Sequence, residues 1–263
     1  MSNRRRRSRA GLNGGNTAGN HTSNFTNTVN DNIVDSNFVS NDKTGPTDQH
    51  HKKNDQLDFL SIVISNCRGY KSKRSSIVKG SCELKPDLLC LQETLLTGKS
   101  KPTLQNYISF NKNRSATSGG GVATLVSNRI STSTTATATG NDVTEFVSVR
   151  IGHMQPGITV INWYACQESN RDIVDESWDT ILGQLAAASA RGDRCILTGD
   201  FNRRLGPRVG DQKGVSYGGR KVLDLVDTGE FVLINEVKNL VQGGPYTRID
   251  PSDPSNKYIV ILL

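Results

Sequence analysis

Cys195-Ile196-Leu197-Thr198-Gly199-Asp200-Phe201-Asn202 decides how the rest of the chain is read. A short apolar run of strand type ends in an acid and an amide two residues apart, and Arg203-Arg204 open a polar loop beyond it. Residues i and i+2 of a strand share a face, so Asp200 and Asn202 are expected to look together into the space above a sheet. A carboxylate beside a carboxamide can hold a hard cation, or orient a water and a phosphoryl oxygen. Gly-Asp and Asn are also ordinary turn residues, and this stretch taken alone reads equally well as a strand-end turn.

Three other strand-like runs also end on a polar side chain. Phe59-Leu60-Ser61-Ile62-Val63-Ile64 is continuous and β-branched, as in a strand covered on both faces, and closes at Ser65-Asn66. Asn66 is a candidate site residue or a cap for the helix that follows, expected from Lys73 to Leu84 and closed before Pro86. Leu88-Leu89-Cys90-Leu91-Gln92 is a second buried strand finishing on Glu93, an acid costly to bury without a metal or a cationic partner. Gln92 points to the opposite face and carries no role. Glu145 to Ile151 alternates as a half-buried antiparallel strand does, and Ile158 to Tyr164 is its partner. Tyr164 stands at that partner's end, as a site hydroxyl or a packing aromatic.

Between and beyond these runs the signals are simpler. Gly119-Gly120-Gly121 precedes the strand Val122 to Val126. No Gly-Lys-Ser/Thr helix follows, which excludes a nucleotide P-loop and leaves a flexible lead-in. Thr132 to Thr139 reads as an exposed edge or loop. Asp172 to Ala190 carries Ile173, Trp178, Ile181, Leu182 and Leu185 at helical spacing. A shorter helix runs from Lys221 to about Asp227, opened by Gly218-Gly219-Arg220. Phe231 to Asn235 and Tyr246 to Asp250 are further strands, and the apolar run Tyr258 to Leu263 comes last.

The 263 residues carry a net charge of +7 and only 34% hydrophobic residues. A polar tail explains the deficit. Residues 1–55 are rich in Asn, Ser, Thr, Gly and Asp, and cannot bury enough surface to offset ordering entropy, so they are expected to be disordered. Residues 56–263 form the folded domain. The tail holds eight Lys and Arg against five Asp, a net +3, which leaves +4 on the remainder. Arg4, Arg5, Arg6, Arg7 and Arg9 are a cationic cluster suited to phosphate backbones or nuclear import, or a solubilising tail. Five cysteines without C-x-x-C spacing read as reduced thiols, with Cys67, Cys90 and Cys195 inside apolar runs. No apolar run reaches the length of about 18 residues that a membrane helix needs, and no secretory h-region follows the basic start. A soluble, intracellular protein is expected.

Asn66, Glu93, Tyr164, Asp200 and Asn202 thus each stand at the carboxyl-side end of a predicted strand. In this order the chain resembles the endonuclease/exonuclease/phosphatase superfamily. Ser65-Asn66, Leu91-Gln92-Glu93-Thr94, Asn162-Trp163-Tyr164 and Gly199-Asp200-Phe201-Asn202 carry the resemblance. Within that superfamily it is similar to the endonuclease domain of LINE-type, non-LTR retrotransposons. The pointers are Gly119-Gly120-Gly121-Val122-Ala123, Glu145-Phe146-Val147, Tyr164-Ala165-Cys166-Gln167-Glu168 and Gly243-Gly244-Pro245-Tyr246-Thr247-Arg248.

The resemblance implies an α/β four-layer sandwich: two mixed β-sheets flanked by helices, which cleaves DNA phosphodiesters with Mg²⁺ or Mn²⁺. By that resemblance Glu93 holds the metal with Asn66 beside it, Asp200 activates or aligns the attacking water, and Asn202 and Tyr164 bind the scissile phosphate. The pattern continues with Ser-x-x-Asp and then Ser-Asp-His. Here Ser255-Asn256-Lys257-Tyr258 lacks the acid, and His21, His50, His51 and His153 all precede Gly199. A copy lacking the last strands, with weak or absent nicking, is the resulting expectation. A non-catalytic nucleic-acid-binding remnant and a phosphatase of the same superfamily are the competing readings.

Overall fold

Apolar residues at alternate positions sort the strands into two sheets and give each sheet two covered faces. The molecule is described from a computed structural model, over residues 60–114, 119–131, 134–152, 156–165, 167, 170–209, 213–234, 248–249 and 257–258. The first sheet contains β1 (Ile62–Asn66), β2 (Leu88–Gln92), β3 (Tyr107–Lys112) and β4 (Val122–Ser127), in the order β1-β2-β4-β3. The β1–β2 pair is parallel and the other two are antiparallel. The second contains β5 (Thr134–Thr139), β6 (Glu145–Ile151), β7 (Ile158–Tyr164) and β8 (Arg194–Asp200), in chain order. Here β7–β8 is the parallel pair.

Three apolar clusters cement the layers. Ile62, Ile64, Leu88, Cys90, Val122 and Val126 of the first sheet face Val147, Val149, Ile151, Ile158 and Val160 of the second. The intervening residues point outward. Val63, Leu89, Leu91, Ala123 and Leu125 meet Ile77 of α1 (Tyr70–Leu84) on one side. Phe146, Ile161, Trp163 and Leu197 meet α2 (Arg171–Ala190) and α3 (Tyr217–Asp227) on the other. A helix layer, two mixed sheets and a second helix layer result, as the resemblance implies. Burying both faces of each sheet supplies most of the driving force, at roughly 25 cal/mol per Å² of apolar surface.

Several elements depart from the sequence reading. Helix α1 starts at Tyr70, a turn before Lys73, because Gly69 takes a φ of 109° and lets the chain turn straight from β1 into the helix. Asn66 therefore does not cap it. β3 carries no predictive alternation, since Ser109, Asn111 and Lys112 interrupt it; pairing with β4 imposes the strand. β6 is buried on both faces, not half-buried, because its polar residues Glu145 and Ser148 find partners in Arg114 and Thr137. α3 is capped by Ser216, whose Oγ accepts from the Gly219 N–H. Residues 231–233 form no strand; Leu233 is buried in the helix-side core of the second sheet. β9 (Arg248–Ile249) and β10 (Lys257–Tyr258) form a two-stranded ribbon. Among the described residues no helix is long and apolar enough to cross a membrane. Cys67 and Cys90 are free and buried and Cys195 half-buried, as expected, and burial pushes the Cys90 thiol up to about 12. The 1–55 tail with Arg4, Arg5, Arg6, Arg7 and Arg9, all four histidines and Cys166 lie outside the described residues.

Candidate active site

The parallel pairs β1–β2 and β7–β8 end at the same rim. Registers Asn66↔Gln92 and Tyr164↔Asp200 bring their carboxyl-side ends level within each sheet. The chain then has to turn sharply, and three non-glycine residues take left-handed backbone there: Arg68 (φ 44°), Glu93 (φ 49°) and Asn202 (φ 47°). Such angles cost about 1–3 kcal/mol each and persist only where the surroundings enforce them.

Asn66 is the hinge of the cluster. Its Nδ2 donates to Glu93 Oε1 at 2.8 Å and to Asp200 Oδ2 at 2.6 Å, so one amide spans an acid from each sheet. Its Oδ1 accepts from the Arg68 N–H at 3.3 Å. The Tyr164 hydroxyl donates to the same Glu93 oxygen at 3.0 Å. Glu93, Asp200, Asn66 and Tyr164, far apart in sequence, are thus in direct contact.

Asn202 is placed differently from the strand-alternation argument. β8 stops at Asp200, so residues 200 and 202 do not share a strand face. Instead the Asn202 N–H donates to Asp200 Oδ1 at 3.1 Å and its Nδ2 donates to the Ala165 carbonyl at 2.8 Å. The turn reading and the site reading of this stretch are therefore both partly right. Asn202 steadies the Asp200 carboxylate and ties it to the residue after Tyr164. The Ala165 N–H closes the link by donating to the Asp200 carbonyl at 2.9 Å.

Electrostatics follow from this packing. Burial raises the Asp200 carboxyl above its ordinary range and the Glu93 charge adds to that; the bonds from Asn66 and from the Asn202 N–H, and the charge of Arg68, oppose it. Burial first, then the charge of Glu93 and the bond to it, push the Tyr164 phenol up. Tyr164 accordingly stays a protonated donor at neutral pH.

A floor beneath the site escaped the sequence reading. Gln92 and Asn162 are both fully buried between the sheets. Gln92 Nε2 donates to Asn162 Oδ1 at 2.6 Å, and Asn162 Nδ2 donates to the Ala123 carbonyl at 2.9 Å. They pin one sheet to the other where the apolar filling ends. Their signal was present, since each neighbours a site residue in the quoted motifs, but a polar residue in a strand does not announce a partner 70 positions away.

The cation-holding groups at the rim are the Glu93 and Asp200 carboxylates; Asn66 turns its amide nitrogen to both and its Oδ1 to the Arg68 N–H. Among the described residues no group of three or more His, Cys, Asp or Glu converges as a metal cage. Two acids sharing one amide donor leave negative charge that a hard cation balances, and such cations keep several waters of their own. The residues fit a hard divalent cation on those grounds.

Residues 52–251 match the profile of the Endonuclease/Exonuclease/phosphatase family. The chain belongs to that family. No curated protein matched by sequence. Solved structures of the family fold align over most of the chain. The AP endonuclease LMAP from Leishmania major superposes with a TM-score of 0.61 at 15% identity, covering 77% of this chain and 78% of that one. The 3′ phosphatase NExo from Neisseria, bound to a product DNA hairpin, gives 0.57 at 16%, covering 77% and 86%. The endonuclease domain of TRAS1, a telomere-specific non-LTR retrotransposon, gives 0.51 at 13%, covering 76% and 83%. At these identities the likeness is one of fold.

Proposed function

We propose that this chain is a DNA phosphodiesterase domain of the endonuclease type, derived from a non-LTR retroelement, that works with Mg²⁺ or Mn²⁺. One observation carries the reading: a single amide, Asn66, holds Glu93 and Asp200 together across the two sheets, with Tyr164 on the same Glu93 oxygen. A bound divalent cation supplies a polarised phosphoryl oxygen and a more acidic water. Glu93, with Asn66 beside it, would hold that cation. Asp200 would orient the attacking water and take its proton, held in place for it by the bonds from Asn66 and from the Asn202 N–H. The Tyr164 hydroxyl, which donates to Glu93 here, would turn its hydrogen to the scissile phosphate when substrate binds, where negative charge grows. Asn202 positions Asp200 through its N–H, and its side chain is the further candidate for phosphate contact.

The net charge of +7 favours a polyanionic substrate. Arg4, Arg5, Arg6, Arg7 and Arg9 add sequence-independent backbone attraction or a nuclear address. The retroelement reading rests on the glycine, Glu145 and Tyr164-to-Glu168 motifs. The phosphatase reading has its support in the NExo likeness alone.

The second reading is a DNA-binding remnant without catalysis, which the basic net charge of +7 would serve by backbone attraction alone. Supercoiled plasmid with Mg²⁺ or Mn²⁺, with EDTA and Glu93→Ala as controls, separates them. Metal-dependent nicking lost in the variant supports the enzyme. Salt-sensitive binding with no nicking at high protein concentration supports the remnant.

A further inference from the structure

Glu145 and the glycine run 119–121 lie outside the acid–amide cluster, yet both bear on it. Glu145 opens β6 and is 1% exposed. Its carboxylate accepts the Gly121 backbone N–H and pairs with the Arg114 guanidinium. A buried carboxylate is costly unless such partners are held in place. The next link runs through the glycine carbonyls. Gly121 O accepts from the Thr94 N–H and Gly120 O from the Leu95 N–H, both at 3.0 Å.

These two amides follow directly on Glu93. Glu93 (φ 49°) and Leu95 (φ 51°) are both left-handed, so the segment 93–95 needs external bonds to keep its course. On its near side the Glu93 carbonyl accepts from the Gly69 N–H at 2.7 Å. The glycines are required rather than flexible. A Cβ at Gly120 would strike Arg114 and the Glu145 carboxylate, and one at Gly121 would strike Thr94 Oγ1. On its other side Glu145 stands opposite Tyr164 in the β6–β7 register. It therefore adjoins both the glycine run that holds the two residues after Glu93 and the strand whose Tyr164 touches Glu93.

We propose that Glu145 is a positioning residue. Through Gly121 and Arg114 it straps the Thr94–Leu95 backbone to the second sheet and so fixes where the Glu93 carboxylate stands relative to Asp200. The functional part of this inference rests on Glu93 as the cation-holding acid.

The test uses the full chain with Glu145→Ala, Glu145→Gln, Arg114→Lys and Glu93→Gln. Amide hydrogen exchange at Thr94 and Leu95 reads the strap, and Mn²⁺ titration followed by electron paramagnetic resonance reads the site. In Glu145→Ala, Thr94 and Leu95 should exchange on the order of tenfold faster while β7–β8 amides stay unchanged. Mn²⁺ affinity should fall about 10–100-fold. Glu145→Gln keeps an acceptor for Gly121 and should stay within about threefold of the parent affinity. A folded Glu145→Ala with parental exchange at both amides, or with parental Mn²⁺ affinity where Glu93→Gln has lost it, overturns the proposal. Should that variant not fold, Arg114→Lys, altered at a partly exposed side chain, takes its place. Faster exchange at both amides and weaker Mn²⁺ binding support the strap, and parental values in both overturn it. If parent and Glu93→Gln bind Mn²⁺ equally poorly while Glu145→Ala still frees Thr94 and Leu95, the cation site is wrong and the strap stands.

Discussion

Replacing Asn66 by alanine removes the side-chain donor that Glu93 and Asp200 share, and its effect should depend on pH in a defined direction. Two charge-assisted bonds are lost, at 2.8 and 2.6 Å. Each such bond contributes about 1.5–3 kcal/mol in favourable settings. The site is half-buried, so water replaces part of each, and a net loss of about 1–3 kcal/mol at pH 7 is expected without metal. For a domain of this size that is roughly 2–4 °C in melting temperature per kcal/mol.

Part of the loss acts through Asp200. Burial already raises its folded carboxyl above the unfolded value, so ionising it in the fold opposes stability, and stability falls as pH rises through the folded pKa. Asn66 limits that rise by bonding to the ionised form. Without it the folded pKa climbs further, and the penalty above it grows. The stability gap between parent and variant should therefore be largest where Asp200 is ionised in the fold and shrink as pH falls through its raised folded pKa. Urea denaturation of both proteins with EDTA across that transition measures it. A gap that is constant with pH would refute the coupling and reduce Asn66 to a packing residue.

Tyr164→Phe keeps the ring and removes the hydroxyl on Glu93; it should cost about 1 kcal/mol or less in urea denaturation. Any plasmid nicking should fall on the order of 10²-fold. Gly199→Ala would drive a Cβ into the Trp163 carbonyl at a φ of 132°, so a loss of about 3 kcal/mol or more, or failure to fold, should appear in thermal melts. Trp163→Ala, at a site 1% exposed between Trp178 and Phe201, should cost about 3–5 kcal/mol. Asp87→Asn weakens the ion pair between this buried carboxylate and the half-exposed Arg129 at the opposite end of the first sheet; about 1–3 kcal/mol should be lost, with Mn²⁺ affinity unchanged.

The layered architecture was legible in the chain because hydrophobic periodicity is local. Ile62 to Ile64 and Leu88 to Leu91 each declare a buried strand, Ile158 to Tyr164 declares the partner of Glu145 to Ile151, and α2 declares its apolar stripe. The five candidate residues could be singled out for a related reason: a polar side chain closing an apolar strand is conspicuous without knowledge of its neighbours. β3 was not legible, because its polar residues become a strand only by pairing with β4. The failed strand at 231–233 has the converse cause, an apolar run whose Leu233 is consumed by a helix-side core.

What the amino-acid order determined, then, was which residues stand at strand ends. Which of those ends meet was decided by tertiary structure alone. Parallel pairing of β1 with β2 and of β7 with β8, and the face-to-face stacking of the two sheets, bring Asn66 to Asp200 across 134 positions. The departure of Asn202 from the strand face, the buried Gln92–Asn162 bridge and the rigid glycine strap under Glu93 were likewise invisible in the sequence. Each depends on a hydrogen-bond partner that periodicity cannot see, supplied only when distant segments are packed against one another.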